Sequence, residues 1–394
     1  MTAAPAPGEG AGPLVFLVAG EPSGDALGAK LMRALKEATG GRVRFAGVGG
    51  ERMATEGLAS LFSLHDIAVM GITEIVPQLP RILRRLNQTI AAMRTQQPAV
   101  LVTIDAPAFC LRIAKRARAM GIPAIHYVAP QLWAWRPGRV KRLVGQIDRL
   151  LLLLPFEREF FEGAGIPSVY VGHPVLEDAA APVAPGFRAR HGIAPEAPLL
   201  LVLPGSRRGL AGRMLPVYGE ALARLQDRHQ AMRVVVPVVA GTAEMVGEAV
   251  RQWRTSPILV SDPAEKRAAF AAADVALTTS GTATMELAVA GVPMVVTYRV
   301  SALSAWLGRR LIQVEHVAMP NLVAGREIVP ELLQEHATPD RMAEELHKLL
   351  CDPAARAAQK SALAEVCARL GADGPRPSQR AAAVVLETLR ARRS

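Results

Sequence analysis

Residues 14–25 read LVFLVAGEPSGD, and the helical stretch ALGAKLMRALKE follows from Ala26 to Glu37 after sharing its start with the loop. An apolar strand, Leu14 to Ala19, thus runs through a Gly/Pro-containing loop into a helix start. The same alternation continues almost throughout the chain, which is the pattern of a parallel sheet covered on both faces and places the protein in the α/β class. Further strands are expected at Arg44 to Val48, Val100 to Ile104, Ala124 to Val128, Leu150 to Leu154 and Val169 to Val171. The rhythm restarts at Leu199 to Leu203, Arg233 to Val238, Ile258 to Val260, Val275 to Thr278 and Met294 to Thr297.

A chain of 394 residues, 50% hydrophobic, exceeds one ordinary core and suffices for two. Residues 1–12 are expected as a disordered tail, 13–176 as one Rossmann-like domain, and the Ala/Pro-rich stretch 177–198 as a linker. Residues 199–365 then form a second Rossmann-like domain and 366–394 a C-terminal helix, for which a return to the first domain is open. Two such halves leave a cleft, and ligands of open α/β sheets sit beyond the carboxyl ends of the strands.

The first residues lack the basic and apolar regions of a signal peptide, and apolar runs such as Leu150 to Leu154 are too short to span a bilayer. Three cysteines without a CxxC pair give neither a disulfide framework nor a structural zinc site, and a reducing compartment is expected. His347 and Cys351, four apart, have no further ligand nearby in sequence, so no metal is expected. The formal charge of +11 and pI near 10.2 fit an acidic lipid surface, a phosphorylated substrate or nucleic acid, or simply an Arg-rich composition.

The loop from Ala19 to Asp25 carries Glu21, Ser23 and Gly24. It reads either as an anion or sugar site at a helix N-terminus or as a tight turn capped by Ser23 or Asp25. Asp105 ends an apolar strand and precedes Ala106 and Pro107; there it can deprotonate an acceptor hydroxyl or cap a helix. HYVAPQLWAWRPGRVKRL interleaves Trp133 and Trp135 with Arg136, Arg139, Lys141 and Arg142, a combination suited to bases or to a phosphorylated sugar, or to a solvated basic helix. LPGSRRG places Arg207 in a turn after a strand, and TTSGTATMELAVAG places Ser280, Gly281 and Thr282 before a helix bearing Glu286. Two phosphate-compatible turns in one half point to a nucleotide diphosphate, with Glu286 near ribose hydroxyls. Ile67 to Val76 is apolar, and in the helix after it Leu83, Leu86, Ile90 and Met93 share a face beside Arg81, Arg84 and Arg85. Met70, Ile72, Arg84 and Arg85 are therefore candidates for docking on an anionic bilayer, with a core-facing helix as the alternative.

Taken in order, AGEPSGD, GVGGERM, AVMGITE, TIDAPAF, HYVAPQLWAWRPGRVKRL, LPFE, GHP, LPGSRR, SGTATMELAVAGVPMVV and MPNLVAGREIVPELLQ resemble the lipid-A-disaccharide synthase family, from about Leu14 to Gln334. The resemblance implies a GT-B fold, two Rossmann-like domains facing across a cleft, with UDP held by the C-terminal one. It implies an inverting hexosyltransferase that joins UDP-2,3-diacylglucosamine to 2,3-diacylglucosamine 1-phosphate, giving a β(1→6) disaccharide 1-phosphate and UDP without cofactor or metal. It further implies Asp105 as general base with Glu21 and Ser23 beside it, and Arg207, Ser280, Gly281, Thr282, Glu286 and Asn321 on the nucleotide side. The expected setting is cytoplasmic and peripheral on the inner membrane, with no nucleic-acid partner; a homodimer is compatible with the family. Many relatives carry an acidic residue after LPGSRR, near Leu210, where this chain has GLAG. The competing readings are another GT-B enzyme using UDP-N-acetylglucosamine and a non-enzymatic basic membrane-binding module.

Overall fold

In a computed structural model, residues 12–67, 72–179, 182–301, 305–306, 308, 310 and 314–392 are described. They form two compact units. The first comprises the chain up to Pro174 together with the segment from Gly374 onward; the second is Val175–Asp373.

The first unit contains a six-stranded parallel sheet built from β1 (Leu14–Ala19), β2 (Arg44–Val48), β3 (Val100–Ile104), β4 (Ala124–Tyr127), β5 (Arg149–Leu152) and β6 (Ser168–Tyr170). Their spatial order is β2-β1-β3-β4-β5-β6. Residues Val15 to Ala19 are fully buried because helices cover both faces, which is why this strand reads as an unbroken apolar run and not as an alternation. Strand order reverses between β1 and β3, and Val15 pairs with Val100 there. Such a reversal is where open α/β sheets carry their ligand sites, beyond the carboxyl ends of these two strands.

The second unit repeats the plan with β7 (Leu199–Leu203), β8 (Arg233–Pro237), β9 (Ile258–Val260), β10 (Val275–Thr279), β11 (Met294–Tyr298) and β12 (Glu331–Leu333). Their order is β12-β11-β10-β7-β8-β9, and the reversal falls between β7 and β10. β12 was not among the strands expected from the apolar pattern. It has three residues, sits at the sheet edge against β11 alone, and begins with a charged residue, Glu331.

The stretch 182–198 carries its own packing within the second unit. Phe187, Ile193 and Ala197 enter a core cluster with Leu199 and Leu201. The Arg188 guanidinium donates to the Ala272 and Ala197 carbonyls and pairs with Asp274 at 2.8 Å.

The helix Pro377–Ala391 belongs to the first unit. Its Ala381, Ala382, Val384, Val385 and Leu389 join Leu31, Leu35 and Val102 in one cluster. Arg376 pairs with Glu37 at 2.8 Å, and Arg392 donates to the carbonyls of Pro98 and Ala99. Val385 is 0% exposed, so Val385→Asp would combine lost apolar burial with an unpaired carboxyl in a dry core. A urea titration should show the first unit weakened by at least about 3 kcal/mol; an unchanged midpoint would mean that this helix is dispensable.

Candidate active site

At the reversal point of the first sheet the loops after β1 and β3 nearly touch. A Cβ on Gly20 would lie 2.0 Å from the Ala106 Cβ, so only glycine fits there. Gly20 donates its N–H to the Ile104 carbonyl at 3.3 Å, closing the two loops together. On the far side of this contact, Ser23 Oγ donates to Asp105 Oδ2 at 3.2 Å, and Ala106 N donates to Asp105 Oδ1 at 2.8 Å. Asp105 and Ala106 adopt φ of 56° and 42°, and Val128, at the end of the neighbouring β4, adopts 79°. Such left-handed conformations cost non-glycine residues about 1–3 kcal/mol each and concentrate where geometry serves function. The half-buried Asp105 carboxylate keeps acceptor capacity beyond these two bonds.

Beneath this corner lies Cys110, whose thiol faces the carbonyls of Val18 and Ile104. Burial pushes the thiol up, and the negative charges of Asp105 and Glu21 add to the effect, which rules it out as a nucleophile and places both carboxylates near one point. His126 is also buried; burial lowers it to about 4, so the ring is neutral, with Nδ1 2.8 Å from Thr103 Oγ1.

Asp25 has another task. Its carboxylate accepts from the N–H groups of Gly50, Arg52 and Met53 at 2.7, 3.0 and 3.0 Å, anchoring the short helix Glu51–Thr55. The capping role open for it in the sequence is thus exerted on a different helix from the one it lies in. Glu21 occupies the N-cap position of the helix Pro22–Thr39 without making a side-chain cap bond.

Glu157 is a carboxylate that the sequence reading passed over. It is 3% exposed and accepts from Leu153 N and Leu154 N at 3.2 and 3.0 Å and from Trp133 Nε1 at 3.1 Å. Trp133 also meets Phe156 edge to face at 4.9 Å. The aromatic-basic stretch therefore divides: Trp133 is a structural brace, whereas Trp135 is 45% exposed beside Arg136. Its signal was available in LLLLPFE, which, like the Asp105 stretch, puts a carboxylate just beyond an apolar strand.

In the second unit the same device recurs. Gly205, at φ 99°, follows β7, and a Cβ there would lie 2.9 Å from Thr279 Oγ1 at the end of β10. Arg207, two residues further along the turn, is exposed; its carbonyl accepts from Leu210 N and Ala211 N, and its guanidinium has no partner among the described residues. Gly281 and Thr282 are exposed at the start of the helix Thr282–Val289, where the first N–H groups have no helical partner and can meet an anion. Ser280 Oγ donates to the Val317 carbonyl at 2.8 Å, so it holds a neighbouring loop. Glu286 accepts from Lys266 Nζ at 2.6 Å, a residue to which no sequence motif pointed.

Asn321 differs from its expected role. It is 0% exposed; its Nδ2 donates to Val329 O and Glu331 Oε1, and its Oδ1 accepts from Ile328 N and Val329 N. All four hydrogen-bonding positions are engaged, so the side chain has none left for a nucleotide. Glu331 in turn accepts from Val317 N and Ala318 N. Ser280 and Glu331 thus hold Val317 and Ala318 just before the helix Met319–Ala324, and Asn321, in that helix, braces Glu331.

The basic helix spans Ile72–Gln96. Its inward side carries Ile82, Leu86, Ile90 and Met93, while Leu83, expected on that face, is 42% exposed, as is Leu79 at 44%. Arg85 turns inward: Nε donates to Asp66 Oδ2 at 2.8 Å, and the guanidinium lies 4.9 Å from the Phe62 ring centre. Arg84 is exposed. Met70 lies outside the described residues, and Ile72 is described only in its backbone. No described helix is long and apolar enough to cross a membrane.

The family described as lipid-A-disaccharide synthetase matches residues 15–383. A lipid-A-disaccharide synthase from Rhodospirillum centenum is 49% identical over 379 residues, covering 95% of this chain and 94% of the relative. Among solved structures, a UDP-GlcNAc 2-epimerase from Neisseria meningitidis bound to UDP-GlcNAc has a TM-score of 0.62 at 12% identity, covering 95% of this chain and 99% of that one. MurG of Acinetobacter baumannii has 0.57 at 14%, with the same coverage of 95% and 99%. The architecture shared with these proteins is the GT-B fold.

Burial pushes the Glu157 carboxyl up to about 7, against the three N–H donors that pull it down. Folding raises this pKa from 4.5, so the folded state holds the proton more tightly than the unfolded chain. The resulting stabilisation is complete below about pH 4.5 and is lost as pH rises through about 7, roughly 3 kcal/mol in all. Urea midpoints across this range should therefore fall with rising pH in the unaltered chain, and Glu157→Gln should flatten that component.

Proposed function

The chain belongs to the lipid-A-disaccharide synthetase family and is a glycosyltransferase of lipid A disaccharide synthesis; from that premise we propose how its residues divide the reaction. The donor is UDP-2,3-diacylglucosamine and the acceptor 2,3-diacylglucosamine 1-phosphate. The acceptor 6-hydroxyl attacks the donor's anomeric carbon with inversion, the bond to the diphosphate breaks, and UDP leaves.

The observation that carries the base assignment is the Ser23–Asp105 hydrogen bond on a loop held in left-handed conformations. Asp105 takes the proton from the 6-hydroxyl as the new bond forms. Ser23 orients the carboxylate, and Glu21 supplies a second negative group at the same corner. A base of this kind contributes about 10²–10⁴-fold.

On the nucleotide side, the exposed Arg207 guanidinium and the N–H groups at Thr282 and Ala283 suit the charge that builds on the departing diphosphate. Glu286, which Lys266 braces, accepts from ribose hydroxyls in this reading. Asn321 acts at one remove, by fixing the loop that Ser280 grips. The GLAG residues after LPGSRR leave the Arg207 turn without an acidic neighbour at that point.

Both substrates carry acyl chains. The exposed Leu79 and Leu83, beside Arg81 and Arg84, form an apolar strip with cationic flanks, as a surface resting on an anionic leaflet requires. We assign this helix to peripheral docking on the cytoplasmic face of the inner membrane, without Arg85, which Asp66 holds.

Mass spectrometry of the purified chain incubated with both substrates and EDTA tests the reaction; the products are disaccharide 1-phosphate and UDP. Asp105→Asn should lower kcat by about 10²–10⁴-fold and leave UDP binding intact; near-normal turnover would move the base elsewhere, Glu21 first. Leu79→Asp with Leu83→Asp should release the chain from anionic vesicles in a sedimentation assay, and undiminished binding would refute the docking face.

A further inference from the structure

Far from these loops, three side chains from two helices meet at the base of the second unit. His229 directly follows the helix Arg208–Arg228, and His347 and Cys351 lie one turn apart at the end of the helix Pro339–Cys351. His229 Nε2 is 2.9 Å from His347 Nδ1, and Cys351 Sγ is 3.9 and 3.7 Å from those two atoms. The sequence offers only the His347/Cys351 pair; the third group comes from 118 residues upstream. The two helices pack along their length through Leu222, Leu225, Met342 and Leu346 in one core cluster.

We propose that His229, His347 and Cys351 form a zinc site, open to water at its fourth position, that ties these two helices together. A tetrahedral zinc with bonds of about 2.0 Å to nitrogen and 2.3 Å to sulfur separates its nitrogens by about 3.3 Å and nitrogen from sulfur by about 3.5 Å. Each edge of the observed triangle is within about half an ångström of those values. Two imidazoles and a thiolate are a donor set that zinc prefers over hard cations, and water completes the fourth position. Both helices present their carboxyl ends to the cluster, where the backbone dipoles favour a cation. Arg228 is the opposing charge, adjacent to His229.

On binding, Cys351 loses its thiol proton to solvent and the thiolate sulfur donates to zinc. Both rings stay neutral. The proton in the His229–His347 hydrogen bond moves to the remote nitrogen of the ring that carried it, freeing both facing lone pairs for the metal. No electron is transferred. Arg207 precedes this same helix and His229 follows it, so its 21 residues set the cluster roughly 30 Å from the diphosphate-binding turn.

The test uses the full chain, without a polyhistidine tag and stripped of metal. Zinc titrated against a chromophoric chelator should bind at one equivalent per chain. Cobalt(II) in its place should show the intense near-ultraviolet thiolate-to-metal charge-transfer band. Cys351→Ser and His229→Ala, each checked for folding by circular dichroism, should weaken zinc at least about a hundredfold, since losing a ligand costs more than losing an outer partner. Cys351→Ser should also abolish the charge-transfer band while leaving sugar transfer unchanged. Zinc binding of full strength in both variants, a cobalt complex without that band, or no binding by the folded unaltered chain would each overturn the site.

Discussion

Where strand order reverses in the first sheet, two backbones pass so close that one methyl group would not fit between Gly20 and Ala106. Much of the local chemistry follows from that approach. It brings the loop after β1 onto the loop after β3, with Asp105 and Ala106 in conformations that non-glycine residues avoid. It sets Ser23 against Asp105 and gathers two carboxylates above a buried, inert thiol. Asp25 fixes the loop from the other side by holding the start of the helix Glu51–Thr55 through three N–H groups. The adjoining Gly/Pro-rich loop is thus held from two directions before any substrate arrives, which is the preorganisation that a proton transfer exploits.

The second sheet meets the same topological demand with different chemistry. Gly205 crowds Thr279 at the corresponding reversal, but the groups displayed there are a guanidinium and the N-terminus of a helix in place of carboxylates. An anion-binding surface needs donors that stay fixed while charge develops. Ser280 and Glu331 supply that rigidity from behind by bonding the backbone of Val317 and Ala318, and Asn321 ties Glu331 to the backbone of Ile328 and Val329. On the proposed division, one fold run twice gives a half that takes a proton and a half that holds a phosphate, and the difference lies in a few residues beyond the strands.

Among the described residues, eleven of the twelve strands were legible, since central strands such as β1, β3 and β7, buried on both faces, are near-continuous apolar runs that set the rhythm for the shorter ones beside them. β12 escaped because an edge strand of three residues starting at Glu331 carries no such run. Motifs located Asp105, Ser23, Arg207 and the 280–282 turn at strand ends, but periodicity cannot say which way a side chain turns. Arg84 and Arg85 are equivalent in sequence, yet Asp66, from a segment 19 residues away, draws only Arg85 inward. Asn321 looks like a ligand in MPNL and proves to be a loop brace, since its four partners come from 328–331. His229 is a lone histidine until helix packing delivers it to His347 and Cys351. What stayed hidden are long-range partnerships of polar side chains, which leave no periodic trace.

The helix Pro377–Ala391 closes a core whose other walls were made before residue 175, with the whole second unit intervening in sequence. Synthesis runs in one direction, at about 5–20 residues per second, so the 199 residues from Val175 to Asp373 take roughly 10–40 s to emerge. For that interval Leu31, Leu35 and Val102 wait without the apolar strip that covers them. The contiguous second unit has all of its own chain in hand first. The usual order on the ribosome, in which the leading domain matures before the trailing one, is therefore inverted, and the first unit is the part most in need of a chaperone's shelter.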